Sequence, residues 1–171
     1  LKKLWDWAHE HGCYTNKSTG LHMNISVPGY SGDKLDYIKL ALFSGDRYIL
    51  EKFSRLGNSY CKSATGIIMQ KITEKNAMQV LDKMKSSLSA ETSKLIHSGL
   101  TEKYTSINTK SGYIEFRSPG GDWLNEDFDK IKNTLFRFVV ALDAALDETK
   151  YKQEYAKKLY KLLSPSNDNT N

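Results

Sequence analysis

Two short stretches of this chain carry their polar side chains on one side only. Residues 20–27 read Gly-Leu-His-Met-Asn-Ile-Ser-Val, and residues 113–117 read Tyr-Ile-Glu-Phe-Arg, running into Ser118-Pro119-Gly120-Gly121. Strand side chains alternate between faces. Leu21, Met23, Ile25 and Val27 therefore share one face, and His22, Asn24 and Ser26 the other. Likewise Ile114 and Phe116 oppose Tyr113, Glu115 and Arg117. An imidazole, an amide, a carboxylate and a guanidinium thus have the period needed to line one surface of a sheet. Such a surface could hold a divalent metal and a phosphate. The same alternation also describes a half-buried antiparallel strand with a solvated face. The choice of cation weighs toward a site. Of the 25 Lys and Arg residues, only Arg47, Arg55, Arg117 and Arg137 are Arg. Where Lys is the default cation, an Arg marks a place that wants a planar fork for carboxylate or phosphate.

The elements that must position these strands read as follows. Residues 2–11 form a helix with Leu1, Leu4, Trp5 and Ala8 as its apolar stripe and Gly12 as its stop. Residues 21–27 form a strand ended by Pro28-Gly29. Residues 33–43 and 46–55 are two helices split at Ser44-Gly45, with Leu35, Ile38 and Leu42 on the helical period. Residues 58–65 are a loop. Residues 67–88 are mostly helical, with Met78, Leu81 and Met84 as a stripe, and Ser89-Ala90-Glu91 caps a further helix to His97. Residues 103–109 and 112–117 form a hairpin around Lys110-Ser111-Gly112. Asn125 is the predicted N-cap of a helix to about Leu146, whose stripe is Phe128, Ile131, Leu135, Phe138, Leu142 and Ala145. A last helix covers about 149–163, and 164–171 is a polar, disordered tail. The fold class is α+β: a small antiparallel sheet with helices packed on one face, its polar faces forming a concave, open surface.

Composition narrows the function classes. A chain of 171 residues with 39% hydrophobic and 26% charged content is ordinary for one globular domain. No apolar run approaches the roughly 18 residues that a membrane span needs. Cys13 and Cys61 make no disulfide framework and have no zinc spacing, so a reduced, cytoplasmic setting is expected. His9 and His11 lie two apart on a helix, where side chains do not face each other, and read as surface residues. The net charge of +5 invites a nucleic-acid partner. Its densest cluster, Lys150, Lys152, Lys157, Lys158 and Lys161, flanks an apolar helical stripe of Tyr151, Tyr155, Leu159 and Leu162, as packing on the domain requires. No helix-turn-helix or finger signature, phosphate-binding glycine loop or serine nucleophile elbow occurs.

Three segments, in order, resemble one family. Thr19-Gly20-Leu21-His22-Met23-Asn24-Ile25-Ser26 is similar to the Gly-x-His-x-His-x-Ser strand of the phage- and bacteria-associated amidoligases, glutamine-synthetase-like carboxylate–amine ligases. Arg55-Leu56-Gly57-Asn58-Ser59-Tyr60-Cys61 is similar to their Arg-then-Tyr-Cys segment. Lys103-Tyr104-Thr105-Ser106-Ile107-Asn108, a turn and Ile114-Glu115-Phe116-Arg117-Ser118 resemble their Asn-strand and Glu-x-Arg strand. The resemblance runs from about Leu1 to about Asp147 and implies a single domain over 1–163 with a glutamine-synthetase-like catalytic fold.

The activity it implies is ATP-dependent amide-bond formation through an acyl phosphate. The partners are ATP, a carboxylate substrate (a peptide or amino acid) and an amine. Glu115 would ligate Mg²⁺ or Mn²⁺, with His22 as a second ligand or phosphate contact. Arg117 would act catalytically on phosphoryl oxygens, and His22 beside it. Asn24, Ser26, Ser106 and Asn108 would contact nucleotide or substrate, and Arg55 a substrate carboxylate or solvent only. The chain departs from the family at Asn24, where a second His is usual, and at Lys103, where Arg is frequent. The resemblance also implies upstream strands with acidic ligands, which this sequence does not contain; an upstream segment or another subunit would complete the site. Two alternatives stay open: a non-catalytic, phage-associated structural or binding protein that keeps the fold, and a basic nucleic-acid-binding module.

Overall fold

The computed structural model describes residues 1–74 and 104–163. The stripe of Met78, Leu81 and Met84, the cap at Ser89, the helix to His97, Lys103 and the tail 164–171 lie outside the described residues. The elements are α1 (Lys2–Glu10), β1 (Met23–Ile25), α2 (Tyr37–Ser44), α3 (Asp46–Lys52), α4 (Ala64–Glu74), β2 (Ile107–Lys110), β3 (Tyr113–Phe116), α5 (Phe128–Ala145) and α6 (Lys152–Leu163). Short 3-10 turns cover Gly32–Lys34 and Trp123–Asn125. The architecture is α+β, with a three-stranded antiparallel sheet in the order β1-β3-β2.

The sheet is built from one local and one distant pairing. β2 and β3 form a hairpin across Ser111-Gly112, where Gly112 takes φ +94°, a conformation open to glycine. β1 joins the other edge of β3, Met23 opposite Phe116 and Ile25 opposite Ile114. The apolar faces, Met23, Ile25, Ile107, Ile114 and Phe116, are buried in the core with residues of α2 and α5. The Phe116 and Phe138 rings stack 4.1 Å apart, fixing sheet to α5. The Tyr37 hydroxyl donates to the Ile107 carbonyl at 2.6 Å, fixing α2 to β2.

Helix boundaries follow their caps. Asp36 caps α2 by accepting from the Lys39 amide at 2.9 Å, so α2 begins later than the predicted 33. Leu35 is buried but has extended backbone. Gly45, at φ +63°, separates α2 from α3 as its position predicts. The cap of α5 is Asp127, not Asn125, which closes the 3-10 turn. Four of the six predicted stripe residues of α5 are buried, and Phe128 and Leu135 pack partly buried against the core. In α1, Trp5 and Ala8 are buried, whereas Leu1 and Leu4 are exposed. The first strand is shorter than 21–27, α4 begins inside the predicted loop, and α6 starts at Lys152 rather than 149.

α6 docks through a buried polar cluster. The Tyr155 hydroxyl donates to Asp36 Oδ1 at 3.0 Å, and the Lys39 ammonium donates to the Asp147 carbonyl at 2.7 Å. Burial raises the Asp36 pKa, against the opposing pull of its hydrogen bonds from Lys39 and Tyr155. No described helix is long and apolar enough to cross a membrane.

Candidate active site

The register of the sheet sets the first row. Asn24, Glu115 and Asn108 lie directly opposite one another across β1, β3 and β2. Opposed residues project to the same face. Exposure falls along the row, from exposed Asn24 through Glu115 to buried Asn108. The polar face is therefore open at the β1 side and closed at β2, rather than open throughout.

Glu115 sits at the centre of this row. Asn108 Nδ2 donates to its Oε2 at 3.1 Å, and His22 Nδ1 stands 3.2 Å from its Oε1. A carboxylate on Nδ1 orients an imidazole and directs Nε2 away from it, the arrangement that supports histidine as a ligand or base. Nε2 lies on the Gly20 side, where a side chain at that glycine would approach it to 3.3 Å.

The second row is a clamp beside β1. Beyond the paired strands, the pairing continues with its register shifted by one residue: the Leu21 amide donates to the Pro119 carbonyl at 3.2 Å, the Gly121 amide to the Thr19 carbonyl at 2.7 Å, and Gly20 bridges Gly120. Arg55 fastens this junction. Its Nη1 donates to the Pro119 carbonyl at 2.7 Å and to the Thr19 carbonyl at 3.4 Å. The side chain is buried, so it is no ordinary helix-end surface residue. Burial draws its pKa down and the charge of Arg117 adds to that, yet a guanidinium stays charged. A Cβ at Gly120, where φ is +148°, would lie 1.8 Å from Arg55 Nη1 and 2.6 Å from the Thr19 carbonyl. That glycine is required by close approach as well as by backbone conformation.

Gly20, His22 and Arg55 open onto one cleft of about 610 Å³. Arg55, Arg117, Lys17 and His22 line it, with Ser18, Asn58, Ser59 and the exposed Tyr60 at its margins. No carboxylate lines it, so its electrostatic character is positive. Behind it, the Cys61 thiol donates to the Arg117 carbonyl at 3.2 Å, and burial pushes this thiol up to about 11.

No family model, curated protein or solved structure matches this chain.

The structure brings His22, Glu115 and Asn108 into contact, with Asn24 in their row and Arg55 and Arg117 on the adjoining cleft. Ser26 is exposed just beyond the end of β1. Ser106 does not join the site. It is fully buried, its hydroxyl donates to Asp46 Oδ2 at 2.8 Å, and it accepts from the Ala64 amide at 2.9 Å. It stands just before β2, which begins at Ile107. Sequence reasoning missed Lys17 and Ser18, which carry no signal beyond nearness to β1. It also passed over Asn58 and Ser59, although both stand in the segment that begins at Arg55.

Among the described residues no group of three or more His, Cys, Asp or Glu side chains could hold a metal ion. His22 and Glu115 offer two ligand side chains. Mg²⁺ commonly takes one or two carboxylates and completes its shell with water and substrate phosphate. The pair suits a cation arriving with a nucleotide and does not suit a cage made of protein ligands alone.

Proposed function

We propose that this cleft binds a phosphorylated nucleotide and a carboxylate substrate, and that the chain is an ATP-dependent carboxylate–amine ligase of glutamine-synthetase-like type. The observation that carries this reading is the cleft wall: two guanidinium groups, an ammonium and an imidazole with no carboxylate among them. Planar guanidinium forks match carboxylate and phosphate oxygens. A carboxylate does not condense with an amine in water, so it first takes the γ-phosphoryl group of ATP, releasing ADP, and the amine then displaces inorganic phosphate from the acyl phosphate and loses a proton to give the amide. Arg117 holds phosphoryl oxygens as their charge develops. Arg55, fixed by two backbone carbonyls, presents its charge without reorganisation. Glu115 and His22 would hold the divalent cation, which supplies charge neutralisation between the phosphates. The ordered resemblance of three segments supports the same assignment.

A second reading rests on a specific observation. Both oxygens of Glu115 already have partners, His22 and Asn108, and the place of a second histidine is taken by Asn24. An amide is a poor metal ligand. A non-catalytic protein that retained the anion cleft would have this arrangement.

One experiment separates them. Thermal unfolding is followed with Mg²⁺ and a non-hydrolysable ATP analogue, and ADP release is followed with ATP, mixed amines and carboxylates. The ligase reading expects stabilisation that depends on Mg²⁺, by about 2.7 kcal/mol at a hundredfold excess over Kd. Glu115→Gln and Arg117→Ala should each lose it, and ADP should form only when both substrates are present. Stabilisation without ADP formation supports the binding reading. No stabilisation at millimolar nucleotide overturns both.

A further inference from the structure

Helix α5 has a second apolar face. Its inner face carries Ile131, Phe138, Leu142 and Ala145 into the core. On the opposite side, Phe136, Val139 and Val140 are 60%, 43% and 55% exposed. Single exposed apolar residues are ordinary, but three within little more than a turn make a patch. Steps of four, three and four residues set Lys132, Phe136, Val139 and Asp143 in one stripe, the spacing by which helices pack along a shared seam. The stripe has a cation before its apolar pair and an anion after it.

We propose that this stripe is a contact between two copies of the chain, with α5 packed antiparallel on α5 about a two-fold axis. A two-fold contact pairs residue i with j and j with i. With the axis between Arg137 and Phe138, Phe136 meets Val139 of the partner subunit, and Lys132 meets Asp143 of the partner subunit. Each contact occurs twice. A parallel arrangement would set Lys132 on its own copy and Asp143 on its own copy, so like charges oppose it. The present partners of these charges, Asp129 for Lys132 and Lys150 for Asp143, form exposed surface pairs that exchange at little cost.

The test is sedimentation equilibrium of the 171-residue chain from about 1 µM to about 500 µM, a range that resolves Kd values across it. The expected result is a monomer–dimer equilibrium. Phe136→Glu should weaken it by at least about tenfold, as burying a charge in the seam requires. Val140→Lys, at the edge of the patch, should weaken it less. Circular dichroism should be unchanged for both, because neither residue enters the core. Lys132→Glu and Asp143→Lys should each weaken association roughly threefold or more, and the double reversal should restore it. A chain that stays monomeric throughout would overturn the proposal, leaving the patch to a different partner. A dimer indifferent to Phe136→Glu, assembly beyond a dimer, or a double reversal no better than either single change would overturn it equally.

Discussion

A carboxylate that loses all contact with water needs donors in its place. Asp46, the first residue of α3, is fully buried and is held by hydroxyl and amide donors. It accepts from the Ser63 hydroxyl at 2.9 Å, the Ser106 hydroxyl at 2.8 Å, the Thr65 amide at 3.3 Å and the Thr65 hydroxyl. These bonds join α3, the start of α4 and the approach to β2. Asp46→Ala strands four donors on three buried or half-buried residues and should cost about 3 kcal/mol in a urea titration. Asp46→Asn should cost clearly less, because hydroxyls can turn to accept from an amide. Equal costs would mean that the space, not the hydrogen bonding, matters. Asp46 also accounts for where the Ser106 hydroxyl points. A strand hydroxyl two places before Asn108 looks like a ligand when only the strand is in view. The carboxylate that engages it stands sixty positions earlier, in a helix. Period reports which face a side chain takes, and nothing in it reports what a distant helix brings there.

At the scale of elements, the junction of β1 with the turn after β3 is the most constrained part of the site. Two glycines with positive φ make a clean comparison. Gly112 has open space where a Cβ would stand, whereas Gly120 has Arg55 and the Thr19 carbonyl. Gly112→Ala should cost about 1 kcal/mol, from backbone conformation alone. Gly120→Ala should cost at least about 2 kcal/mol more, as strain and overpacking add, and should weaken anion binding by displacing Arg55. Thermal unfolding and phosphate titration of both variants check this; equal losses would remove Arg55 from its clamping role. The hairpin, the break at Gly45 and the inner stripe of α5 were all legible in the sequence, because turn residues and apolar period encode them directly. The starts of α2 and α5 were not. Several Asp and Asn side chains near each start can cap, and tertiary contacts choose among them. Before α5, Thr15 accepts from the Leu124 amide at 3.0 Å and donates to Asp122 at 3.0 Å, holding 123–125 in a turn and passing the cap to Asp127.

Across the whole molecule, the docking of α6 depends on pH through Asp36. Its folded pKa is raised, chiefly by burial. The contribution of Asp36 to stability is therefore complete below the pKa it has in the unfolded chain and is lost as pH rises through the folded value. Asp36→Asn retains an acceptor for the Lys39 amide and the Tyr155 hydroxyl but cannot ionise. The melting temperature of the variant relative to the parent should therefore increase from acid toward neutral pH. A difference that is flat with pH would show that Asp36 titrates alike in both states. The α+β class was legible from the alternation of strand and helix patterns, yet the cleft was not, since Lys17, Arg55 and Arg117 meet only through the folded chain. That dispersal also bears on synthesis. β2 and β3 are neighbours in sequence, but Met23 of β1 pairs with Phe116. β1 leaves the ribosome long before its partner strand exists, so its apolar face, Met23 and Ile25, must wait uncovered while α2, α3 and α4 are made. Any product truncated before Tyr113 carries an orphan strand and no cleft, which makes such fragments natural substrates for chaperones and proteases.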